Sequence, residues 1–583
     1  MSAGDGSPAM RALRKWGPFC SLMAAVVLLA VVVVMDDDVS GTPGGGADVA
    51  NGSVGDEPSE TGAPPPIGRM PPTHAEAAAA GTLGEYEWGE ACDTERGTVM
   101  VPSVGAAPCV PVFEGDNGGA THTGVGEDRI VVVWYDASDT GGLDSLLGNA
   151  GLKDSGEQQF ETVEQWAELF SSVTETYGRE VQLVRYVASG GMDDAVAAQA
   201  DAERIATDIQ PFAVLGGPPS DGGAFAAELA RNEIICLGCA LGMPECRILD
   251  NAPYNWGTEP STSQFVAGLT AWLTPGPDNA GLAGNAEFAG DERLRSTERT
   301  FGVVHFDQDP PVMSTCPGQK SWPEDFVVES YLLDFATMPQ VAAEIVAKMS
   351  AADVTSIIFA GDPIMPIYLT SAAEAIDYHP EWIFTGTVLT DTNSLARLYD
   401  QSQMAHAFGV SQTGVPVAPG VGGALDLYRW YFGADAEPPA PSTYQVLLSN
   451  IPRLFSGIQM AGPDLDPTTF ERALFRIPPT GGDPVNPQQS HGHWGFFART
   501  DYNGTDDLAE IWWDAEATGP DETGKEGTGM WRYAHGGARF TPDDPPDPAP
   551  FDPTDTVTRF EQLPGDLQPP DYPPPAGSPA AGA

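Results

Sequence analysis

Cysteines, a pair of histidines and acidic residues that follow apolar runs are the groups in this chain whose type and spacing could do chemistry. Of seven cysteines, Cys20 lies in an apolar N-terminal run, leaving Cys92, Cys109, Cys236, Cys239, Cys246 and Cys316. The C-x2-C-x6-C spacing of Cys236, Cys239 and Cys246 is one that zinc could use. In an oxidising compartment an even set of cysteines pairs instead, and disulfides are the expectation here. Cys92 and Cys109 are close in sequence and are expected to pair. The other four allow three connectivities, of which Cys239–Cys246 with Cys236–Cys316 is favoured. His491 and His493 in "HGHW" could project together from a strand, but no third metal ligand accompanies them. No G-x-S-x-G, H-E-x-x-H or G-x-x-x-x-G-K-[ST] occurs. The chain is read as a non-enzyme without cofactor or metal.

The glycines of "GDNGGATHTGVGEDRIVVVWYD" (115–136) invite a dinucleotide reading. In such folds the glycines follow the strand, so that N–H groups meet phosphate at the next helix. Here they precede it, and the strand is followed by the acidic "YDASDTGG".

The elements that would position these groups alternate. Apolar runs at 129–137, 181–188, 212–217 and 233–238 read as buried strands, with helical periodicity between them at 157–178, 193–209 and 221–232. The pattern restarts with strands at 300–307, 327–336, 354–361 and 381–388 and helices at 338–353 and 366–378. It predicts an α/β chain of two doubly wound parallel-sheet lobes. Two helices in 424–476 and a late hairpin around the "NG" at 503–504 complete it. The expected boundaries are lobe 1 at 128–265 and 406–480, and lobe 2 at 266–405 and 481–540. A disulfide-linked segment (85–127) precedes lobe 1. A Gly/Pro/Ala-rich linker (36–84) and a Pro/Asp-rich tail (541–583) have too little apolar content for a core and are expected to be disordered.

The 82 acidic against 27 basic side chains argue against nucleic acid as a partner. Arg11, Arg14 and Lys15 precede an uncharged run from Trp16 to Met35, long enough at about 1.5 Å per residue to cross a bilayer. Basic residues on its N-terminal side leave a cytoplasmic stub (1–15) and place the remainder outside. An uncleaved anchor at the cell membrane is favoured over a cleaved signal, which would release a secreted protein.

Two exported α/β lobes in tandem resemble the type I periplasmic-binding-protein fold. With "CDTERGTVMVPSVGAAPCVPVFEGDNGGATHTGVGEDRIVVVWY", the chain looks like the substrate-binding proteins of branched-chain amino-acid ABC transporters, in an actinobacterial membrane-anchored form. The resemblance spans 85–540. It implies a hinged cleft that captures an amino acid or related carboxylate for an ABC permease. It implies that Ser220, in "GGPPSDGGA", holds a ligand carboxylate at a helix N-terminus. The neighbouring Asp221 departs from that pattern, since its charge would repel an anion. Ala240, beside Cys239, falls in the second carboxylate loop. Asp362 in "FAGDPIMP" would meet the ligand ammonium, or simply begin a turn before Pro363. Tyr135 and Asp136, and His305 and Asp307, end strands at the cleft mouth, and Trp256 would line the cleft or pack the hinge. The alternative is a cell-surface interaction or structural protein that keeps the fold without transport.

Overall fold

A computed structural model describes residues 69–103, 105–137, 153–191, 194–218, 221–239, 243–277, 279–306, 316, 322–494, 501–565 and 567–582. The candidate membrane segment at 16–35 lies outside these residues. Among the described residues no helix is long and apolar enough to cross a membrane.

Strands β1 (Arg129–Asp136), β2 (Glu180–Val187), β3 (Ala213–Leu215), β4 (Ile235–Leu237) and β5 (Asn255–Trp256) form a five-stranded sheet in the order β2-β1-β3-β4-β5. Every pairing in it is parallel, with Val132 opposite Ala213 and Tyr135 opposite Tyr186. The apolar run of β1 follows from this: Ile130, Val132 and Val133 are buried with sheet on either side and helices above and below. Helix α1 (Gly156–Val173) starts where Ser155 accepts the N–H of Gln158 and the Gln158 side chain returns to Ser155, a reciprocal cap. Its Val163, Trp166 and Phe170 recur at helical spacing and face the core. Helices α2 (Ala195–Arg204) and α3 (Ala224–Arg231) cover the opposite face.

The second sheet repeats the plan. Strands β6 (Phe301–Phe306), β7 (Val327–Tyr331), β8 (Ser356–Ala360), β9 (Glu381–Phe384) and β10 (Ala407–Ser411) run parallel in the order β7-β6-β8-β9-β10. Antiparallel strands β11 (Leu508–Pro520), β12 (Glu526–Tyr533) and β13 (Arg539–Phe540) extend it beyond β10. Helix α4 (Thr262–Leu273) covers one face through Phe265, Leu269 and Trp272. Helices α5 (Met338–Ala351) and α6 (Met365–Ala375) cover the other. Helices α7 (Ala424–Phe432), α8 (Ile451–Ala461) and α9 (Pro467–Leu474) return to lobe 1 and pack with α1.

Several expectations are corrected. The strand at 407–411 belongs to the second sheet, not lobe 1, because its apolar run pairs with β9. The late hairpin turns at 521–525, where Asp521 accepts the N–H groups of Thr523 and Lys525. The Asn503-Gly504 pair instead lies between lobes, bridging Gly257. Part of the supposed linker is ordered: Thr73 and Glu76 cap a short helix at His74–Ala80. The tail is ordered as well. Val557 pairs with Tyr533, Phe560 pairs with Val417, and Tyr572 bonds Trp430 and Asp93. Proline leaves few backbone donors to satisfy, so isolated aromatic anchors suffice to dock such a segment. The disulfides are Cys92–Cys109, Cys236–Cys239 and Cys246–Cys316. The favoured pairing of the last four is therefore corrected: Cys236, in the middle of β4, bonds Cys239 just beyond the strand, and Cys316 bonds Cys246 in the helix Glu245–Asp250.

Candidate functional site

In open parallel sheets ligands bind beyond the carboxyl ends of the strands, at the point where strand order reverses. In both lobes the last parallel strand leads into a segment that joins the lobes. Trp256 ends β5 and runs into 257–261. Ser411 ends β10 and runs into 412–423. The third connection, 475–507, has residues 495–500 outside the described set. The first and third lie side by side: Gly257 N–H donates to Tyr502 O at 3.0 Å and Thr505 N–H to Thr258 O at 3.0 Å.

Most strand-end residues singled out in the sequence are occupied by the scaffold. The Tyr135 hydroxyl donates to Asp201 at 2.9 Å, and Asp201 also accepts from Tyr186 (2.8 Å), Ser189 and Arg204. Burial, then the Asp201 charge, holds the Tyr135 hydroxyl well above its usual range. Asp136 accepts from Arg185 Nε at 2.8 Å and Nη2 at 2.6 Å. Asp221 accepts the N–H groups of Gly223 (3.0 Å) and Phe225 (2.7 Å), and burial raises its carboxyl. The donors at the start of α3 are thus taken by the protein's own carboxylate. Asp362 does the same for α6, accepting from Ile364 N (2.7 Å), Met365 N (3.1 Å) and the Tyr331 hydroxyl. His305 is half-buried in β6, opposite Ala360 and Ser330. Trp256 is fully buried and packs edge-on to Tyr502, with ring centroids 4.8 Å apart, and near His491 and Phe470. It is a core residue of the hinge. Ser220, Ala240 and Asp307 lie outside the described residues. His491 is buried, and burial pushes it well below its usual range, whereas His493 is exposed.

The polar groups concentrated at the inter-lobe connections are others. Arg453, on α8, is buried and donates to Thr258 Oγ1 at 3.0 Å and Asn450 Oδ1 at 3.1 Å. Burial pulls it down to about 10. Asn450 also closes on β4, since a Cβ at Gly238 would stand 2.5 Å from its Nδ2. Glu259 follows Thr258 and is open to solvent while surrounded by protein mass. That enclosure, with the charge of Asp391, pushes its carboxyl up to about 7. Asp391, beyond the carboxyl end of β9, is 3% exposed. Its Oδ2 accepts from Ser411 at 2.6 Å and Thr413 at 3.2 Å, and its Oδ1 has no partner among the described residues. The charge of an acid of the second lobe is therefore felt by an acid of the first connection. Two carboxyls with unspent acceptor capacity suit an ammonium or amide donor better than an anion. Glu259 could have been suspected from "NWGTEPS", an acidic residue between a strand end and the Ser261 cap of α4. Asp391 carried no pattern of its own.

No family model matches the sequence, and no curated protein matches it. Solved structures do resemble it, and they are type I periplasmic binding proteins of ABC transporters. The fatty acid ABC transporter substrate-binding protein from Thermomonospora curvata is 13% identical with a TM-score of 0.46, covering 72% of this chain and 95% of that one. The periplasmic binding protein type 1 from Bordetella pertussis Tohama I is 13% identical with a TM-score of 0.44, covering 69% and 100%. The branched-chain amino acid transporter substrate-binding protein LivJ from Streptococcus pneumoniae, in complex with isoleucine, is 12% identical with a TM-score of 0.42, covering 70% and 100%.

Proposed function

We propose that this chain is an extracytoplasmic solute-binding protein, held at the cell membrane by residues 16–35, that closes two α/β lobes over a small polar molecule and offers it to an ABC-type permease. The observation that carries the reading is the repeated strand order, β2-β1-β3-β4-β5 and β7-β6-β8-β9-β10, with the last strand of each sheet, β5 and β10, running into an inter-lobe connection. Hinge closure about those connections would bury a ligand between the sheets. Amino acids and related carboxylates are the class that the sequence resemblance implies. Glu259 and Asp391 favour members of that class with an amine or amide to donate. Titration calorimetry and thermal shift of the purified full chain against amino acids, amides and small organic acids test it. Saturable heat with a rise in Tm is expected, and silence across all three panels would sink it.

A second reading is a cell-surface interaction protein that retains the fold without a ligand. It is favoured by Asp221, which fills the helix start expected to take a ligand carboxylate, and by Asp362, which caps its own helix where a ligand ammonium was expected. A ligand-free cleft that stays closed in solution, with an envelope protein captured by the intact chain, would select it.

A further inference from the structure

The geometry points to residues 541–565 and 567–582 as a strap that spans the hinge and sets the angle between the lobes. The segment leaves β13 on the second sheet and stays on lobe 2 for its first half. Asp547 accepts the N–H of Ala280 at 2.7 Å, and Ala549 N–H donates to Glu510 at 2.7 Å. Phe551 packs against Phe288, Phe408 and Trp512 at centroid distances of 5.5, 5.9 and 5.5 Å. Val557 exchanges both backbone hydrogen bonds with Tyr533 on β12.

The path then moves onto the second inter-lobe connection. Phe560 N–H donates to Pro416 O at 2.9 Å, and Ala418 N–H returns to Phe560 O at 2.8 Å. Leu563 is buried, and Pro569 closes on Gly422, just before α7. The last anchors are on lobe 1. Trp430 Nε1, on α7, donates to Tyr572 O at 2.8 Å. The Tyr572 hydroxyl donates to Asp93 at 2.6 Å, beside the Cys92–Cys109 disulfide. Residues 580–582 lie against α7.

A segment fixed to both lobes and to the connection between them must slide or release when the lobes rotate. Its proline content gives it few conformations to explore, so it transmits restraint better than a flexible linker would. The strap therefore limits hinge motion, and releasing its lobe 1 half frees that motion. The inference uses the two-lobe hinge of the proposed function but no ligand, so the two fail separately.

The test is a protease recognition sequence inserted between Pro564 and Gly565, both exposed, in the full chain. Spin labels on genetically encoded ketone side chains replace Val196 on lobe 1 and Ile376 on lobe 2, which are 80% and 51% exposed. Inter-label distances are measured without ligand, before and after cutting the folded protein. Cutting is expected to broaden the distribution roughly twofold while the circular dichroism is unchanged. The double variant Trp430→Phe, Tyr572→Phe is expected to broaden it less. An unchanged distribution after cutting overturns the strap. So does loss of the folded spectrum, which would make the segment part of the core.

Discussion

Arg299 grips both oxygens of Glu381, Nε to Oε2 and Nη2 to Oε1 at 2.9 Å each, with side chains 4% and 0% exposed. The remaining capacity is filled: Ser356 donates to Oε2 at 2.6 Å, Phe288 N–H to Oε1 at 3.1 Å, and Arg299 reaches Leu282 O and Ala283 O. The pair ties the start of β9 to the segment entering β6. Removing one partner strands the other charge in the interior. Arg299→Ala is expected to cost about 3–5 kcal/mol in denaturant unfolding. Arg293→Ala, whose pair with Asp353 is exposed on both sides, is expected to cost less than about 1 kcal/mol. Equal costs would refute the assignment.

Gly124 explains a glycine that the sequence marks without justifying. It sits at φ +73°, and a Cβ there would stand 2.0 Å from the backbone N of Phe212. The chain entering β1 passes directly against the one entering β3. Gly124→Ala is expected to destabilise by at least about 1–3 kcal/mol, from the left-handed backbone and the clash together. Gly119, also at positive φ but with open space, is the control, and Gly119→Ala should cost less. Circular dichroism melts of the two variants compare them.

The disulfide set has a direct chemical readout. Non-reducing peptide mapping is expected to recover Cys246 joined to Cys316 and Cys236 joined to Cys239. A link from Cys239 to Cys246 would contradict the structure. The Cys246–Cys316 bridge closes a loop of 70 residues. In the chain-entropy picture its removal by paired serine substitution costs about 4 kcal/mol.

Buried acids in the third connection give a stability that rises as pH falls. Burial pushes Asp501 up to about 8, although Asn503 N–H and Gln264 donate to it at 2.8 Å each. Burial also pushes Asp506 up to about 7. A carboxyl whose folded value lies above its unfolded value of about 4 binds more protons when folded. Its stabilising contribution is present below about pH 4 and is lost as pH rises toward 8. Asp501→Asn is therefore expected to flatten the fall in denaturant midpoint between pH 5 and pH 8 (about the window set by these two values) relative to the parent. An identical slope in the variant would remove Asp501 as its cause.

The elements legible in the sequence were those whose burial is written locally. The run 129–137 became β1 at Arg129–Asp136, and the two α/β restarts became two sheets of one strand order. A short run rich in Val and Ile, too brief for a long helix, fits a strand covered on both faces. What sequence could not supply was set by distant partners. Asp136 ends its strand as expected, and its partner Arg185 comes from the neighbouring strand. Asp221 and Asp362 turned inward to cap helices. The tail was unreadable because its anchors, Phe551, Phe560 and Tyr572, are too sparse for a periodicity and acquire meaning only where Trp512, Pro416 and Trp430 await them.

Glu259 is the residue on which the preference for an amine-bearing ligand turns. It is solvent-accessible, so changing it need not disturb the core, and its carboxyl has no cationic partner among the described residues. With its carboxyl raised to about 7 by enclosure and by Asp391, it gains charge as pH passes through neutrality. A cationic ligand group stabilises the ionised form and should bind more tightly as pH rises from about 6 to about 8. Glu259→Gln keeps the shape, removes the charge, and is expected to weaken an amine-bearing ligand about tenfold or more and abolish that pH dependence. Its melting temperature should match the parent or exceed it, because the variant relieves repulsion with Asp391. Calorimetry of parent and variant at both ends of the pH range reads each outcome. Unchanged affinity and pH dependence in the variant would move the binding site away from this connection and leave the cleft to residues nearer the strand ends.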